Sequence, residues 1–258
     1  MKKHNSDVCD LVYIYLNENN QYILSHGIEF FEFAQTVPNP LGNILLLKHQ
    51  FDDGDFNMHT LLEYVPSERI EKLIKDDVYD YGDFCWLDFE EEDGLNELTQ
   101  QEIAELLYLG HLKQHLHTPF YSQLGNQYVY LAHDDGWFNK TYYRHLEDFY
   151  WMLGRLIPSK VGKLKFEKSL FRIGKKRSYP TIQQDTLLSL RDMIKEGTVI
   201  SLKKALQNRN RIEIPMWVIG DFANMDDMYE VYEQESNHEC DAKLVFDRKS
   251  KEWRIYSK

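Results

Sequence analysis

The chain of 258 residues contains little cysteine and no long apolar run. Its three cysteines, Cys9, Cys85 and Cys240, form no C-x-x-C pair of the kind that marks redox or zinc motifs. The longest apolar run, residues 44–47, is too short to cross a bilayer, and residues 1–10 lack the apolar segment of a signal peptide. We therefore expect a cytoplasmic protein with reduced thiols and no membrane contact.

The strongest local signatures of catalysis and nucleotide binding are also missing. The chain has no G-x-G-x-x-G, no G-x-x-x-x-G-K-[ST] and no G-x-S-x-G pattern. These absences lower the expectation of an enzyme without removing it, because some enzymes carry no local motif. We expect no cofactor.

The charge is distributed unevenly along the chain. Residues 1–150 hold 27 acidic and 9 basic residues, a balance of −18, whereas residues 151–258 hold 15 acidic and 21 basic residues, a balance of +6. An acidic surface repels nucleic acid and anionic membranes and attracts basic proteins. The asymmetry favours a basic protein partner, although an acidic surface is also an ordinary property of soluble proteins.

The apolar patterns predict an α+β fold with a mainly antiparallel sheet and packed helices. Strands are predicted at 11–16, 21–24, 43–48, 83–89, 128–133 and 137–142, and Asp135-Gly136 suits a tight hairpin turn between the last two. A capping box of Thr99 and Glu102 begins one helix, and another runs from Leu146 to about Pro158. No regular βαβ alternation is present, which argues against a doubly wound sheet.

A basic stretch, residues 155–177, contains nine Lys or Arg residues and a single acidic residue, Glu167. It suggests a boundary between an acidic α+β unit of residues 1–157, a connecting segment of 158–180 and a smaller α+β unit of 181–258. In the smaller unit, Thr181 and Gln184 predict a helix ending at Gly197, Ser201 predicts another short helix, and Asn224 predicts a third. Residues 211–219 predict a strand at a sheet edge or with a bulge, because Pro215 lies within it. A closing hairpin of residues 242–246 and 253–256 follows.

A histidine cluster supports an alternative function, a metal-assisted hydrolase. His111 and His115 share a helical face, His117 follows, and His133 precedes Asp134 and Asp135. The H-x-x-x-H spacing lacks the glutamate of the metalloprotease motif, and a helix end and a hairpin turn explain the same residues. We expect no bound metal.

A second alternative is nucleic-acid contact through the basic segment that includes Lys175, Lys176 and Arg177. Only three aromatic residues lie in or beside it, namely Phe166, Phe171 and Tyr179. This number is small for a surface on which successive bases stack. A linker or solvated face explains such a run equally well. With the net charge of −12 opposing a polyanion, nucleic-acid binding is not expected.

Residues 126–157 give a strand, an aromatic stretch and then His145-Leu-Glu-Asp-Phe149-Tyr-Trp-Met-Leu153. This order resembles the closing portion of the SUKH-type toxin-immunity superfamily, in which a late strand precedes a terminal helix with a similar aromatic stripe. The resemblance covers about 30 residues, and residues 158–258 have no counterpart in it. It implies a cytoplasmic protein-binding module, often one that protects a cell against a polymorphic toxin, and it transfers no functional residue.

The leading hypothesis is a non-enzymatic binding or regulatory protein that presents an acidic, aromatic surface to a basic partner. The candidate binding residues are Asp134, Asp135 and Trp137, together with Glu91 and Glu92 of the acidic run 90–93. Aromatic side chains anchor interfaces, and carboxylates steer the encounter with positive surfaces.

Overall fold

A computed structural model describes residues 10–75, 84–112, 118–164 and 178–258. The strands found in those ranges are β1 Leu11–Asn17, β2 Tyr22–His26, β3 Asn43–Leu46, β4 Asp55–Asn57, β5 Leu62–Val65, β6 Cys85–Phe89, β7 Tyr128–His133, β8 Phe138–Tyr143, β9 Thr198–Ser201, β10 Leu206–Gln207, β11 Arg211–Val218, β12 Ala242–Asp247 and β13 Glu252–Ser257. The helices are α1 Phe30–Thr36, α2 Ile70–Lys75, α3 Glu92–Asn96, α4 Gln100–Leu112, α5 Leu146–Lys163, α6 Gln184–Leu188, α7 Arg191–Lys195 and α8 Met225–Glu235. The predicted α+β class with antiparallel pairing is confirmed.

The chain divides into two compact units. Residues 17–148 form one, here the acidic unit, and residues 1–16 with 149–258 form the other, here the terminal unit. The division differs from the predicted one at residue 157, because β1 pairs with β9 and so joins the N-terminal residues to the C-terminal part. The acidic unit contains 25 acidic and 7 basic residues, a balance of −18, and the terminal unit contains 17 and 23, a balance of +6.

The sheet of the acidic unit runs in the order β2-β8-β7-β6-β3-β5-β4, with antiparallel pairing throughout. Aromatic side chains fill the space between α1 and this sheet. The ring of Phe30 lies 5.5 Å from that of Trp86, and Trp86 stacks on Tyr130 at 5.2 Å. All three side chains are buried, which fixes α1 on one face of the sheet.

The sheet of the terminal unit runs in the order β13-β12-β11-β9-β1, and β10 pairs with β11. Since β11 has neighbours on both sides, the predicted edge position of this strand is wrong. On one side of β11, residues 212–213 pair with β10 and residues 216–218 pair with β9. Pro215 lies between these two pairings, so its missing N–H removes no hydrogen bond between strands.

Helix α5 continues past Pro158 to Lys163, although an end near the proline was predicted. Proline removes the hydrogen bond to the carbonyl four residues earlier, which is that of Gly154. Here the N–H of Ile182 donates to the Gly154 carbonyl at 2.9 Å and replaces that bond. A side chain at residue 154 would meet the carbonyl oxygen of Ile182 at 2.7 Å, so the glycine permits the approach.

Other local predictions have mixed outcomes. The Thr99–Glu102 capping box and the Asn224 cap are confirmed, with Asn224 accepting from the N–H of Asp227 at 2.9 Å. The single helix predicted from Thr181 to Gly197 is wrong, because α6 and α7 are separate; the helix predicted at Ser201 is wrong, because β9 ends there.

Within the described ranges, no helix has the length and apolar character that a membrane span requires.

Candidate functional site

The turn between β7 and β8 carries three of the predicted binding residues. Asp134, Asp135 and Gly136 have φ angles of +51°, +50° and +85°, a left-handed path that aspartate and glycine tolerate. The N–H of Trp137 donates to the carbonyl of Asp134 at 2.9 Å and closes the turn. The predicted hairpin is therefore confirmed. Asp135 is exposed, and Asp134 is half-buried.

Trp137 is half-buried beside a histidine of β2. The Nδ1–H of His26 donates to the Trp137 carbonyl at 2.7 Å, and the two ring centroids lie 6.3 Å apart. His26 itself is buried, and its hydrogen bond joins the end of the turn to β2. The indole is thus held in place while part of its surface faces solvent.

Glu91 and Glu92, the other predicted binding residues, lie at the start of the short helix α3. Glu91 is the N-cap of α3 and Glu92 lies in its first turn, where carboxylates interact favourably with the helix dipole. Burial and a hydrogen bond with Glu92 raise the pKa of Tyr64 to about 12. Glu92 therefore helps to fasten α3 to β5, although both glutamates are exposed.

The strand register separates these two groups of predicted residues. The N–H of Glu90 donates to the carbonyl of Leu124 at 3.0 Å, which places the start of α3 just before the first residue of β7. The turn at Asp134 follows the last residue of β7. At about 3.3 Å per residue, six strand residues span about 20 Å. The structure does not bring Glu91 and Glu92 together with Asp134, Asp135 and Trp137.

Sequence reasoning missed a second exposed turn, which connects β4 to β5. Phe56, Met58 and Leu61 are exposed by 53%, 78% and 65% of their surfaces, the three highest values among large apolar residues described in the acidic unit. These three exposed apolar side chains lie within six positions of the chain. Exposed apolar clusters of this kind are typical of interaction sites.

Hydrogen bonds hold this turn in a fixed shape. The side-chain oxygen of Asn57 accepts the N–H of His59 at 3.1 Å and that of Thr60 at 2.8 Å. The Nε2–H of His59 donates to the carbonyl of Leu98 at 2.7 Å. Leu61 has a φ of +58°, a left-handed conformation that costs a non-glycine residue about 1–2 kcal/mol. The turn therefore holds an exposed leucine in a strained backbone conformation.

The β4–β5 turn and the β7–β8 turn lie at the same end of the sheet. Cys85 pairs with Leu131 of β7, and its carbonyl accepts the N–H of Leu47, which follows β3, at 2.8 Å. Leu46 pairs with Glu63 of β5. Followed across the sheet, this register places His133, the last residue of β7, at the same height along the strands as the turn that precedes Leu62. Three strand spacings of about 4.8 Å separate β7 from β5, a distance of about 15 Å. We call six residues the rim: Phe56 of β4, Met58 and Leu61 of the β4–β5 turn, and Asp134, Asp135 and Trp137 of the β7–β8 turn.

A weak signal for the missed turn was present in the sequence. Asp52, Asp53, Gly54 and Asn57 are turn-forming residues, and the apolar residues at 56, 58 and 61 fit neither a helical stripe nor a continued strand. Apolar residues without either period, between turn formers, are candidates for exposure.

Asp88 is a buried carboxyl of this unit, and it organises the start of β7. Its side-chain oxygen accepts the N–H of Gln127 at 2.9 Å and that of Tyr128 at 2.6 Å. Burial raises the pKa of Asp88 to about 6, and the two N–H donors oppose that rise. The carboxyl holds β7 against β6, which fixes the strand that carries the rim turn.

The residues of the hydrolase hypothesis are only partly described. His111 is exposed at the end of α4, and His133 ends β7, whereas His115 and His117 lie outside the described residues. Among the residues that are described, no three His, Cys, Asp or Glu side chains converge as metal ligands would. The basic residues 175–177 of the nucleic-acid hypothesis also lie outside the described ranges. Both hypotheses stay predictions.

No family model matches the chain, and no curated protein and no solved structure is significantly similar to it.

Proposed function

We propose that this protein is a non-enzymatic binding or regulatory protein whose acidic unit docks a basic protein partner through the rim. The observation that carries the proposal is the exposure of Phe56 of β4 and of Met58 and Leu61 on the rigid, strained turn that follows it, within a unit of balance −18. A turn that served only the fold would be more stable with polar residues at those positions and with glycine at 61.

The two kinds of side chain on the rim act at different steps of binding. Apolar side chains that become buried against a partner contribute affinity and slow dissociation. Carboxylates such as Asp134 and Asp135 act over a Debye length of about 8 Å at physiological ionic strength and raise the association rate of a positive partner. A rim of about 15 Å between its two turns fits within a single standard interface.

The resemblance of residues 126–157 to the SUKH-type immunity superfamily agrees with the protein-binding class of this proposal, and it transfers no functional residue to the rim. The immunity form of the proposal makes the partner a basic toxin domain within the cytoplasm. Expression of the chain together with neighbouring genes of its own genome would show whether one of them is toxic without it.

The direct experiment is affinity purification from native lysate, with the wild type, Phe56→Ser/Leu61→Gly and Leu206→Ser compared. Leu206 is 67% exposed in the terminal unit, so its substitution removes an exposed apolar side chain outside the rim. We expect one basic protein to be retained by the wild type and by Leu206→Ser, and to be lost from the rim variant. That protein is then purified, and its binding to the three chains is measured directly.

Retention of the same purified protein by the rim variant with unchanged affinity would contradict the proposal. A partner of acidic composition would contradict it as well, because the acidic unit would repel such a surface.

A further inference from the structure

The outer strand of the terminal unit, β13, has an open edge. It is the last strand in the order β13-β12-β11-β9-β1, and its six residues contain neither a proline nor a bulge in their pairing with β12. Natural proteins shield such edges because an exposed ladder of N–H and C=O groups pairs readily with another strand. The sheet of the acidic unit ends in β4, which has only three residues. A strand this short offers few backbone groups for pairing with another strand.

The hydrogen-bond register shows which groups of β13 face outward. The N–H of Lys258 donates to the carbonyl of Asp241 at 3.0 Å, and this pair continues the β12–β13 register. Since antiparallel pairs alternate between bonded and non-bonded, Trp253, Ile255 and Ser257 direct their N–H and C=O groups away from β12. Within the described part of the chain, no hydrogen bond to these outward backbone groups is found.

We propose that β13 pairs with β13 of a second copy of this chain, in an antiparallel register centred on Ile255. In that register Ile255 faces Ile255 of the second copy, and Trp253 faces Ser257 in both directions. All three outward-facing residues are then bonded, which gives about six intermolecular hydrogen bonds and one continuous sheet across the two copies.

The side chains select this register over its neighbours. Glu252, Arg254, Tyr256 and Lys258 alternate on one face of the strand. Centred on Ile255, the pairing places Glu252 opposite Lys258 and Arg254 opposite Tyr256, in the non-bonded positions where side chains approach most closely. These pairs are an ion pair and a cation–aromatic contact. A register centred on Arg254 would place the Arg254 side chains of the two copies opposite each other. A register centred on Tyr256 would place Arg254 of one copy opposite Lys258 of the other, so both registers would be destabilised by like charges.

The facing side chains are exposed, and in the dimer the local pairs of Glu252 with Arg254 and of Lys258 with Glu239, at 3.5 Å, exchange for intermolecular pairs. Tyr256 is 54% exposed, and Arg254 and Glu252 are joined at 2.8 Å on the open face. The other face of β13 is anchored within its own unit, because the indole N–H of Trp253 donates to the carbonyl of Pro180 at 2.8 Å. The strand is therefore held in an extended shape before it meets a second copy, which lowers the entropic cost of pairing.

A pairing of six residues buries less than the roughly 1,200 Å² of standard interfaces, so we expect a weak dimer with a dissociation constant on the order of 0.1 mM. Sedimentation of the full chain between about 5 and 500 µM measures it. The wild type should shift from monomer to dimer over that range. A monomer at every concentration would overturn the proposal.

Charge reversal tests the register. Glu252→Lys and Lys258→Glu each place two like-charged pairs in the homodimer, and each should weaken self-association by about tenfold or more. Mixed in equal amounts, the two variants recover both opposite-charge pairs and should form a heterodimer about as tight as the wild type. Full dimerisation of either variant alone, or no recovery on mixing, would overturn the register.

Ile255→Pro provides the backbone test. It removes an N–H that faces away from β12, so the chain should keep its fold by circular dichroism while losing self-association. A folded Ile255→Pro variant that still forms the wild-type dimer would overturn edge pairing. Binding of the basic partner through the rim should be unchanged in all of these variants.

Discussion

The two units of this chain differ in how their charged surfaces are arranged. The acidic unit carries a balance of −18 and exposes apolar side chains at the β4–β5 turn, whereas the terminal unit carries +6, and both units pair some of their charges locally. Glu213, for example, lies 3.6 Å from Arg211 and 3.3 Å from Lys243 on the open face of its sheet. A unit with a large net negative charge attracts a partner of opposite charge. A strand that carries both acidic and basic residues can pair with a copy of itself.

The charge asymmetry therefore follows the structural units more closely than it follows the order of the chain. Residues 1–16 have two acidic and two basic residues and belong with the C-terminal part through the β1–β9 pairing. Residue 149, and not residue 158, is where the chain passes from one unit to the other. The proposed partner binding and the proposed self-association thus fall in different units, so each can be disrupted separately.

The largest expected effect tests whether the units are separate. Ile14 is fully buried in β1, and Ile14→Ala should lower the free energy of unfolding of the terminal unit by about 2–5 kcal/mol. Hydrogen exchange should show lost protection in β9, β11 and β12, with protection in β6 and β7 retained. Equal loss of protection in all of these strands would show that the two units unfold together and would contradict their separation.

The next effect concerns Asp88, a buried carboxyl of the acidic unit. Because the folded pKa of Asp88 is raised from 3.8 to about 6, the folded state binds more protons than the unfolded state between those values, and stability falls as pH rises through that window. Asp88→Asn keeps an oxygen for both N–H donors and removes the buried charge. The variant should match the wild type below about pH 4 and exceed it by up to about 3 kcal/mol above pH 6.

Urea unfolding of both proteins at several pH values checks this prediction. Asp241→Asn in the terminal unit is the control, since Asp241 also accepts a backbone N–H, from Val218 at 2.9 Å, but is only half-buried. It should show a much smaller gain. An Asp88→Asn variant that is less stable than the wild type at pH 7 would show that the charged carboxylate is required.

A smaller effect separates binding from stability on the rim. Leu61→Gly relieves the left-handed strain and should leave the melting temperature unchanged or higher, while weakening partner binding by about tenfold through faster dissociation. Calorimetry and binding kinetics on the same preparations measure both. Leu206→Gly is the matched control and should leave binding intact. A Leu61→Gly variant that loses stability would assign this leucine to the fold.

How much of this could be predicted depends on whether the deciding contact is local in sequence. The Thr99–Glu102 capping box and the Asp134–Gly136 turn were predicted because their hydrogen bonds join residues at most three positions apart. The continuation of α5 past Pro158 was not, because it depends on the N–H of Ile182, which is distant in sequence. The same reason explains the unit boundary, which rests on β1 meeting β9.

For the candidate site, the sequence placed Asp134 and Asp135 in a turn and Trp137 at the start of the following strand, but it could not place Glu91 and Glu92 relative to them. That relation depends on the register of β6 against β7, which no local pattern determines. The exposure of Phe56, Met58 and Leu61 was missed for a different reason. Apolar residues are ordinarily assigned to a core, and only the folded chain shows which are left outside it.

The central claim is that the acidic unit steers a basic partner onto the rim, and the salt dependence of the association rate tests it most directly. With the captured partner, Asp134→Asn/Asp135→Asn should associate several-fold more slowly than the wild type at low salt and show a flatter dependence on ionic strength. The control, Glu196→Gln/Asp221→Asn, changes the same charge at exposed residues of the terminal unit and should follow the wild type. An association rate indifferent to salt, or equal slowing by both double variants, would contradict the account.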